Sequence, residues 1–139
     1  MLGVFGREGV YAASLWPMSS NISMIDAAFR MFRNVDGAGT NFGDTSVQAS
    51  SSDNQTATVY ASTNTADGKV VMVLINKAPV AKTTSVGLTH SAALNHASVY
   101  TLTAGSTAPA KGADLTASQP NSFTLTMPAQ SVTTLVFGS

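Results

Sequence analysis

The chain combines two hydrophobic patterns that do not normally form one small fold. Residues 2–36 predict one strand followed by one long amphipathic helix, whereas the sequence from Thr45 onward predicts short β-strands separated by small polar residues and prolines. A single β–α unit cannot bury its own apolar surface, because a parallel strand needs strands beside it and helices on its faces. We therefore divide the chain into residues 1–44, the end of a larger α/β structure, and residues 45–139, a separate β domain.

The predicted N-terminal strand lies between Gly3 and Trp16. Its second half, Val10 to Trp16, is mostly apolar toward both faces, as in strands buried inside α/β layers, and Pro17 would end it. Ser and Asn side chains at positions 19–21 would cap the helix that follows. That helix is predicted from apolar residues at helical spacing, namely Ile22, Ile25, Phe29 and Phe32.

The second part of the chain has the period of two that is typical of strands. Asp67-Gly68 predicts a hairpin, and a second turn is predicted at Pro128 between the last two strands. The run Val70 to Ile75 is apolar on both faces, which predicts a central strand covered on both sides. About seven strands at this spacing predict an antiparallel β-sandwich and a mainly β protein. The outer face of the central strand could pack against the helix, a barrel or a second copy of the chain.

The composition excludes several classes of partner. Seven basic and seven acidic residues cancel, and only 10% of the 139 residues are charged, so the basic surplus that binds nucleic acid or an anionic membrane is missing. There is no cysteine for a disulfide or a thiolate. No apolar run is long enough to span a bilayer, and no signal peptide is visible after Met1.

Five segments of the chain resemble glycoside hydrolase family 44. The run Phe5 to Pro17 is similar to the last barrel strand of those enzymes, and Ala27 to Gly37 is similar to their last barrel helix. Phe42 to Val47 resembles their crossing into a C-terminal β-sandwich. Val71 to Lys77 and Met127 to Leu135 resemble strands of that sandwich. The first two matches are the more specific ones, and together the resemblance covers essentially the whole chain.

The resemblance implies a fold, an activity and a compartment. Members of the family are endo-acting, retaining β-glucanases, including enzymes that act on cellulose and xyloglucan, with a (β/α)8 barrel and a small sandwich. Their two catalytic glutamates lie on barrel strands earlier than the one matched here, and their sandwich also recruits sequence from the N-terminal end of the full protein. The resemblance thus implies an extracellular enzyme of which this chain is the C-terminal part.

The carboxyl groups of the chain do not predict a catalytic pair. Retaining glycoside hydrolysis needs two carboxyl groups about 5–5.5 Å apart. Glu8 is the single glutamate, and the six aspartates fall on the predicted helix or in turns. Glu8 precedes the predicted buried strand, where it could reach a cleft in a barrel or pair with Arg7. We predict no catalytic residue in this chain, and no cofactor.

Four residues are candidates for contact with a glycan, and none is a candidate for metal binding. Trp16 is the best of the four, because residues at the C-terminal end of a barrel strand face the active site; a core or interface position is the alternative. Glu8 could reach the same cleft. Tyr60 and Tyr100 lie in predicted strands and could stack on a sugar or pack against the helix. Two histidines without a third ligand give no zinc site.

The function predicted from the sequence is therefore that of a fragment. We expect a non-catalytic accessory β-sandwich of a secreted endo-β-1,4-glucanase-like glycoside hydrolase, which binds β-glucan weakly or through its barrel. The alternatives are a stand-alone carbohydrate-binding module for β-glucan or xyloglucan, and a fragment that hydrolyses glycans as an oligomer. Uncovered apolar surface on the helix and on the central strand further predicts self-association.

Overall fold

The computed structural model describes residues 1–16 and 22–138, which contain two helices and nine strands. The helices are α1 (Leu2–Arg7) and α2 (Ser23–Arg33). The strands that follow are β1 (Thr45–Val47), β2 (Ala57–Thr63), β3 (Val70–Asn76), β4 (Lys82–Gly87), β5 (His96–Leu102), β6 (Ala110–Lys111), β7 (Leu115–Thr116), β8 (Ser122–Met127) and β9 (Ser131–Gly138). The change from helical to strand periodicity near residue 45 is thus confirmed.

The strands form two antiparallel sheets of unequal size. The large sheet has seven strands in the order β1-β2-β3-β9-β5-β6, with β7 also paired to β5, and the small sheet contains only β4 and β8. The mainly β, antiparallel architecture is confirmed. Nine strands are described where about seven were predicted, and the two additional strands, β6 and β7, have only two residues each, which is too short for a periodic pattern.

The first core lies between the two sheets. Met72 and Leu135 of the large sheet pack against Leu125 of the small sheet, and all three are buried. Phe123 and Phe137 meet edge to face across this layer, with ring centroids 5.1 Å apart and both side chains fully buried. Face-to-face packing of alternating apolar residues from two sheets is the defining feature of a β-sandwich.

The second core lies on the outer face of the large sheet, under helix α2. Met31 and Phe32 of α2 pack against Val73 of β3 and Leu102 of β5. The Thr134 hydroxyl donates a hydrogen bond of 2.9 Å to the carbonyl oxygen of Met31, which fastens the helix to β9. Strand β3 is therefore buried on both faces, as its sequence predicts, and within this chain the helix covers its outer face.

The strand predicted between Gly3 and Trp16 is not formed in the structure. Residues 2–7 are helix α1, and residues 10–16 belong to no helix or strand and are exposed. A parallel strand is stable only between hydrogen-bonded neighbouring strands. The described residues place no strand beside this segment, so it does not form one. A barrel strand at these positions remains a prediction. The predicted strand end at Pro17 and the predicted helix cap at positions 19–21 lie outside the described residues.

The two predicted turns have different roles. Asp67-Gly68 lies in the turn between β2 and β3, where Gly68 has a φ of +69° and the Asn64 amide donates to the carbonyl oxygen of Lys69 at 2.9 Å. The turn at Pro128 joins β8 to β9, but these strands belong to different sheets. It is therefore a corner of the sandwich, not a hairpin.

Candidate functional site

The predicted site residues Glu8 and Trp16 lie in the exposed N-terminal segment. The Trp16 side chain is 88% exposed. Glu8 is also exposed, and its Oε1 accepts a 2.8 Å ion-pair contact from Arg7 Nε, the pairing that the sequence left open as an alternative to a cleft position. Tyr11, which sequence reasoning passed over as part of a buried strand, is a second fully exposed aromatic residue in this segment.

Exposed apolar side chains are concentrated in the first 29 residues. Of the ten large hydrophobic residues that are exposed among residues 1–16 and 22–138, eight lie there: Met1, Val4, Val10, Tyr11, Leu15, Trp16, Ile22 and Phe29. Scattered single exposed hydrophobic residues are normal in soluble proteins, whereas a concentration of them marks an interaction surface. This part of the chain therefore presents apolar surface that the sandwich itself does not cover.

The predicted residues Tyr60 and Tyr100 lie in a different place from Trp16. Both are partly buried on the outer face of the large sheet, within the core that α2 covers. Gly3 of α1 lies against the Tyr60 ring so closely that a Cβ atom at position 3 would be 2.5 Å from the ring carbons. The structure therefore brings these two tyrosines to the helix–sheet layer and does not join them to Trp16 and Glu8. Their contact with a glycan remains a prediction.

A groove of about 580 Å³ opens between the two sheets, and no sequence pattern predicted it. Its floor is the inner face of β2 and β3, one wall is residues 47–52, and the other wall is β4 with residues 88–90. The groove exists because the small sheet has two strands and the large sheet seven, so part of the inner face of the large sheet has no strand above it. The outer edge of β4 has no strand partner among the described residues.

The groove is lined by neutral side chains. The described residues that line it are Ser, Thr, Gln, Gly, Met, His90 and aliphatic residues, and His90 is the single titratable one among them. These residues include no Phe, Tyr or Trp, and hence no flat aromatic side chain on which a sugar ring could stack. Nor does this described lining include a carboxyl group, and glycoside hydrolysis requires two. The groove is chemically suited to an uncharged, extended occupant.

The best-defined charged cluster borders this groove. The Asp53 carboxylate accepts hydrogen bonds from the Thr56 hydroxyl, from Lys82 Nζ at 2.9 Å and from the Thr56 amide at 3.2 Å. These bonds, above all the one from the Thr56 hydroxyl, hold the pKa of Asp53 well below its ordinary value of 3.8. Lys82 begins β4 of the small sheet, whereas Asp53 lies in the loop that leads into β2 of the large sheet.

Replacement of Asp53 by Asn is expected to change the acid stability of the protein. Because the folded-state pKa lies below the ordinary value of 3.8, the stabilisation from Asp53 is fully present above that value and is lost as the pH falls through the folded pKa. The difference in unfolding midpoint between wild type and Asp53→Asn should therefore be constant from pH 8 to about pH 5 and shrink below about pH 4. Urea unfolding at a series of pH values measures it. A difference that grows toward low pH would contradict the assignment.

No metal site or membrane-spanning helix is found in the described part of the chain. Among residues 1–16 and 22–138, no group of three or more His, Cys, Asp or Glu side chains is placed to hold a metal ion. Over the same residues, neither helix has the length and the apolar character needed to cross a bilayer.

Comparison with known proteins identifies the fold. CelM2, a bifunctional glucanase-xylanase from a metagenome library, matches 99% of this chain with a TM-score of 0.90 and 34% identity. A Paenibacillus polymyxa xyloglucanase from glycoside hydrolase family 44 matches 99% of the chain with a TM-score of 0.93 and 29% identity. In sequence, the β-mannanase/endoglucanase A of Caldicellulosiruptor saccharolyticus is 32% identical over 130 residues, which is 92% of this chain. No family model matches the chain.

These relatives are much longer than the chain. It spans 26% of the CelM2 chain, 28% of the xyloglucanase chain and 10% of the Caldicellulosiruptor protein. The matches cover nearly all of this chain but only 10–28% of each relative. The chain therefore corresponds to a partial piece of a glycoside hydrolase. The family is glycoside hydrolase family 44, to which the chain belongs, and its extent is consistent with a C-terminal fragment of those enzymes. The resemblance read from the sequence is thus confirmed.

Proposed function

We propose that this chain is the non-catalytic accessory part of a secreted family 44 endo-β-glucanase, with a β-sandwich that packs against a barrel and stabilises it. The observation that carries the proposal is the position of Glu8, the single glutamate, which is exposed and paired with Arg7. The chain matches about a quarter of the length of each of two glycoside hydrolases, and retaining hydrolysis needs an acid and a nucleophile close together. Because Glu8 is paired with an arginine and not with a second carboxyl group, we assign this piece a structural role.

The exposed apolar side chains support a barrel as the partner. Residues 10–16 and the outer side of α2 expose aromatic and aliphatic side chains, including Trp16 and Phe29. The resemblance to the family implies that these segments are the last barrel strand and helix, which would have neighbours on both sides. The division between residues 1–44 and 45–139 follows from this proposal: the first part completes a barrel, and the second part is the sandwich.

The groove supports the same proposal from the other side of the sandwich. The resemblance implies a sandwich that takes up sequence from the N-terminal end of the full protein. The free edge of β4 and the neutral, partly apolar groove beside it are a suitable position for such an extended segment. Self-association of the chain through uncovered apolar surface remains a prediction for the isolated protein.

The expected result for the purified chain is no hydrolysis of soluble β-glucans. Xyloglucan and carboxymethylcellulose are incubated with the protein, and released reducing ends are measured against a buffer blank. We expect no release above the blank at protein concentrations several hundredfold above those used for a complete enzyme, because one carboxyl group cannot act as both acid and nucleophile.

A variant and a binding measurement separate the alternatives. Hydrolysis by the wild type that is lost in Glu8→Gln would overturn the accessory role and assign catalysis to this chain. A stand-alone carbohydrate-binding module is favoured by the exposed aromatic residues Tyr11 and Trp16. It predicts heat on calorimetric titration with xyloglucan oligosaccharide that disappears in Trp16→Ala. No heat at millimolar sugar would remove the module and leave the accessory role.

A further inference from the structure

The segment between β1 and β2 is residues 48–56, which we call the strap, and its first part, residues 48–52, supplies most of one wall of the groove. Its residues Ser50, Ser51 and Ser52 line the groove opposite β4. The strap therefore lies at the open side of the sandwich, beside the part of the large sheet that the small sheet leaves uncovered. Its position decides how wide the groove is.

The strap is fastened at its C-terminal end. Asp53 accepts the 2.9 Å contact from Lys82 Nζ of β4, which joins the strap to the opposite wall of the groove. Lys77 Nζ donates to the carbonyl oxygen of Asn54 at 2.7 Å, and the Lys77 amide donates to the carbonyl oxygen of Thr56 at 2.8 Å. The Lys82–Asp53 pair reaches from the strap to β4 of the small sheet, and Lys82 Nζ also contacts the Thr56 hydroxyl at the end of the strap.

The N-terminal half of the strap is held much more loosely. Within the described part of the chain, residues 48–52 make no backbone–backbone hydrogen bond. Among residues 48–52, Ala49 is the one that packs against the core between the two sheets, and it is partly buried there. A segment with few backbone hydrogen bonds and little buried apolar surface opens at a low free energy, independently of global unfolding.

We propose that the strap is a hinged cover of the groove, with the Lys82–Asp53 ion pair as its latch. When the pair is broken, the strap swings away from β4, Ala49 leaves the core, and the inner face of β2 and β3 becomes accessible. Exposed ion pairs contribute little to stability, so this latch opens easily and its loss does not unfold the sandwich. The proposal concerns the sandwich alone and does not depend on the proposed function or on what occupies the groove.

Cysteine labelling tests the proposal directly, because the natural chain contains no cysteine. Ala49→Cys places one thiol on the underside of the strap, and its rate of reaction with a maleimide reports how often the strap lifts. With Asp53→Asn in the Ala49→Cys protein, we expect labelling about two- to fivefold faster than in Ala49→Cys alone, as the loss of an exposed ion pair predicts. Lys82→Met removes the contact to the Thr56 hydroxyl as well, so it should give at least the same increase, and it serves as the second variant if Asp53→Asn folds poorly.

Two controls match this design. Asp67→Asn removes the exposed Lys69–Asp67 pair, also 2.9 Å long, at the β2–β3 turn, and should leave the labelling of Ala49→Cys unchanged. Ala117→Cys places a thiol at another partly buried alanine packed on the same core, and Asp53→Asn should leave its labelling unchanged. Equal labelling of Ala49→Cys with and without Asp53→Asn would overturn the latch. Equal acceleration at positions 49 and 117 would also overturn it, because it would show a general loosening of the core.

Discussion

Asn76→Ala is expected to lower the free energy of unfolding by about 3 kcal/mol. Asn76 is 1% exposed at the end of β3, and its amide nitrogen donates to the carbonyl oxygens of Pro128 at 2.8 Å and Val80 at 2.9 Å. Its amide oxygen accepts from the backbone amide of Ala78 at 3.0 Å. Alanine removes all three hydrogen bonds, and a hydrogen bond contributes about 1 kcal/mol to stability. The amide of the buried Ala78 is left unsatisfied, whereas the Pro128 carbonyl keeps the Ser131 hydroxyl as a donor at 2.7 Å.

The loss should be specific, because the Asn76 side chain joins the two sheets at one corner. Pro128 lies between β8 of the small sheet and β9 of the large sheet, and Val80 precedes β4. Urea unfolding followed by circular dichroism measures the change. Asn54→Ala is the matched control, since Asn54 is exposed, and it should change the stability by less than about 0.5 kcal/mol. Equal effects for the two variants would show that the corner bonds contribute nothing to stability.

The parts of the fold that the sequence predicted are those whose signal is local. Val70 to Ile75 is apolar on both faces, and β3 is buried on both faces because α2 covers one side and the small sheet the other. The spacing of Phe32 and its apolar neighbours predicted the helix, and Asp67-Gly68 predicted the turn after β2. In each case the periodicity or the turn chemistry acts within a few residues, so no knowledge of distant contacts is needed.

The parts that the sequence did not predict depend on which strands become neighbours. The twofold period of β4 and β8 shows that they are strands, but not that they leave the large sheet and pair only with each other. The groove exists because β4 and β8 form a separate small sheet, so the sequence did not predict the groove either. The apolar run Val10 to Trp16 has a strand's composition, yet a strand forms only where another strand completes its hydrogen bonds. Such non-local facts have no signature in a hydrophobic pattern.

The candidate site residues also depend on contacts between distant parts of the chain, which the sequence does not reveal. An exposed indole at Trp16 and a surface pair between Arg7 and Glu8 were open alternatives in the sequence, and only coordinates distinguish them from a buried core position. Tyr60 and Tyr100 share a strand face with small polar residues, Thr58 and Ser98 among them, and that pattern does not reveal the helix that covers the face. The Lys82–Asp53 pair joins residues 29 positions apart and could not be inferred from spacing.

Met31→Ala is expected to lower the free energy of unfolding by about 3 kcal/mol, within the range of about 2–5 kcal/mol for buried methionines cut to alanine. Met31 lies on the side of α2 that faces the sheet, is 1% exposed, and packs in the helix–sheet core with Val73 and Leu102. Its replacement leaves a cavity that the stiff, hydrogen-bonded sheet cannot close. Because alanine has the higher helix propensity, the loss reports packing and not a failure to form the helix.

Phe29→Ala provides a matched comparison on the same helix. Phe29 is 38% exposed, so its loss from this chain should change the stability by less than about 1 kcal/mol, although phenylalanine is the larger residue. Thermal and urea unfolding of both variants measure the difference. If α2 also packs against a barrel in a longer protein, as we propose, the cost of Phe29→Ala must rise there while that of Met31→Ala stays the same. A cost for Phe29→Ala that is small in both proteins would show that this side of the helix faces solvent throughout, and the barrel would have to contact the chain elsewhere.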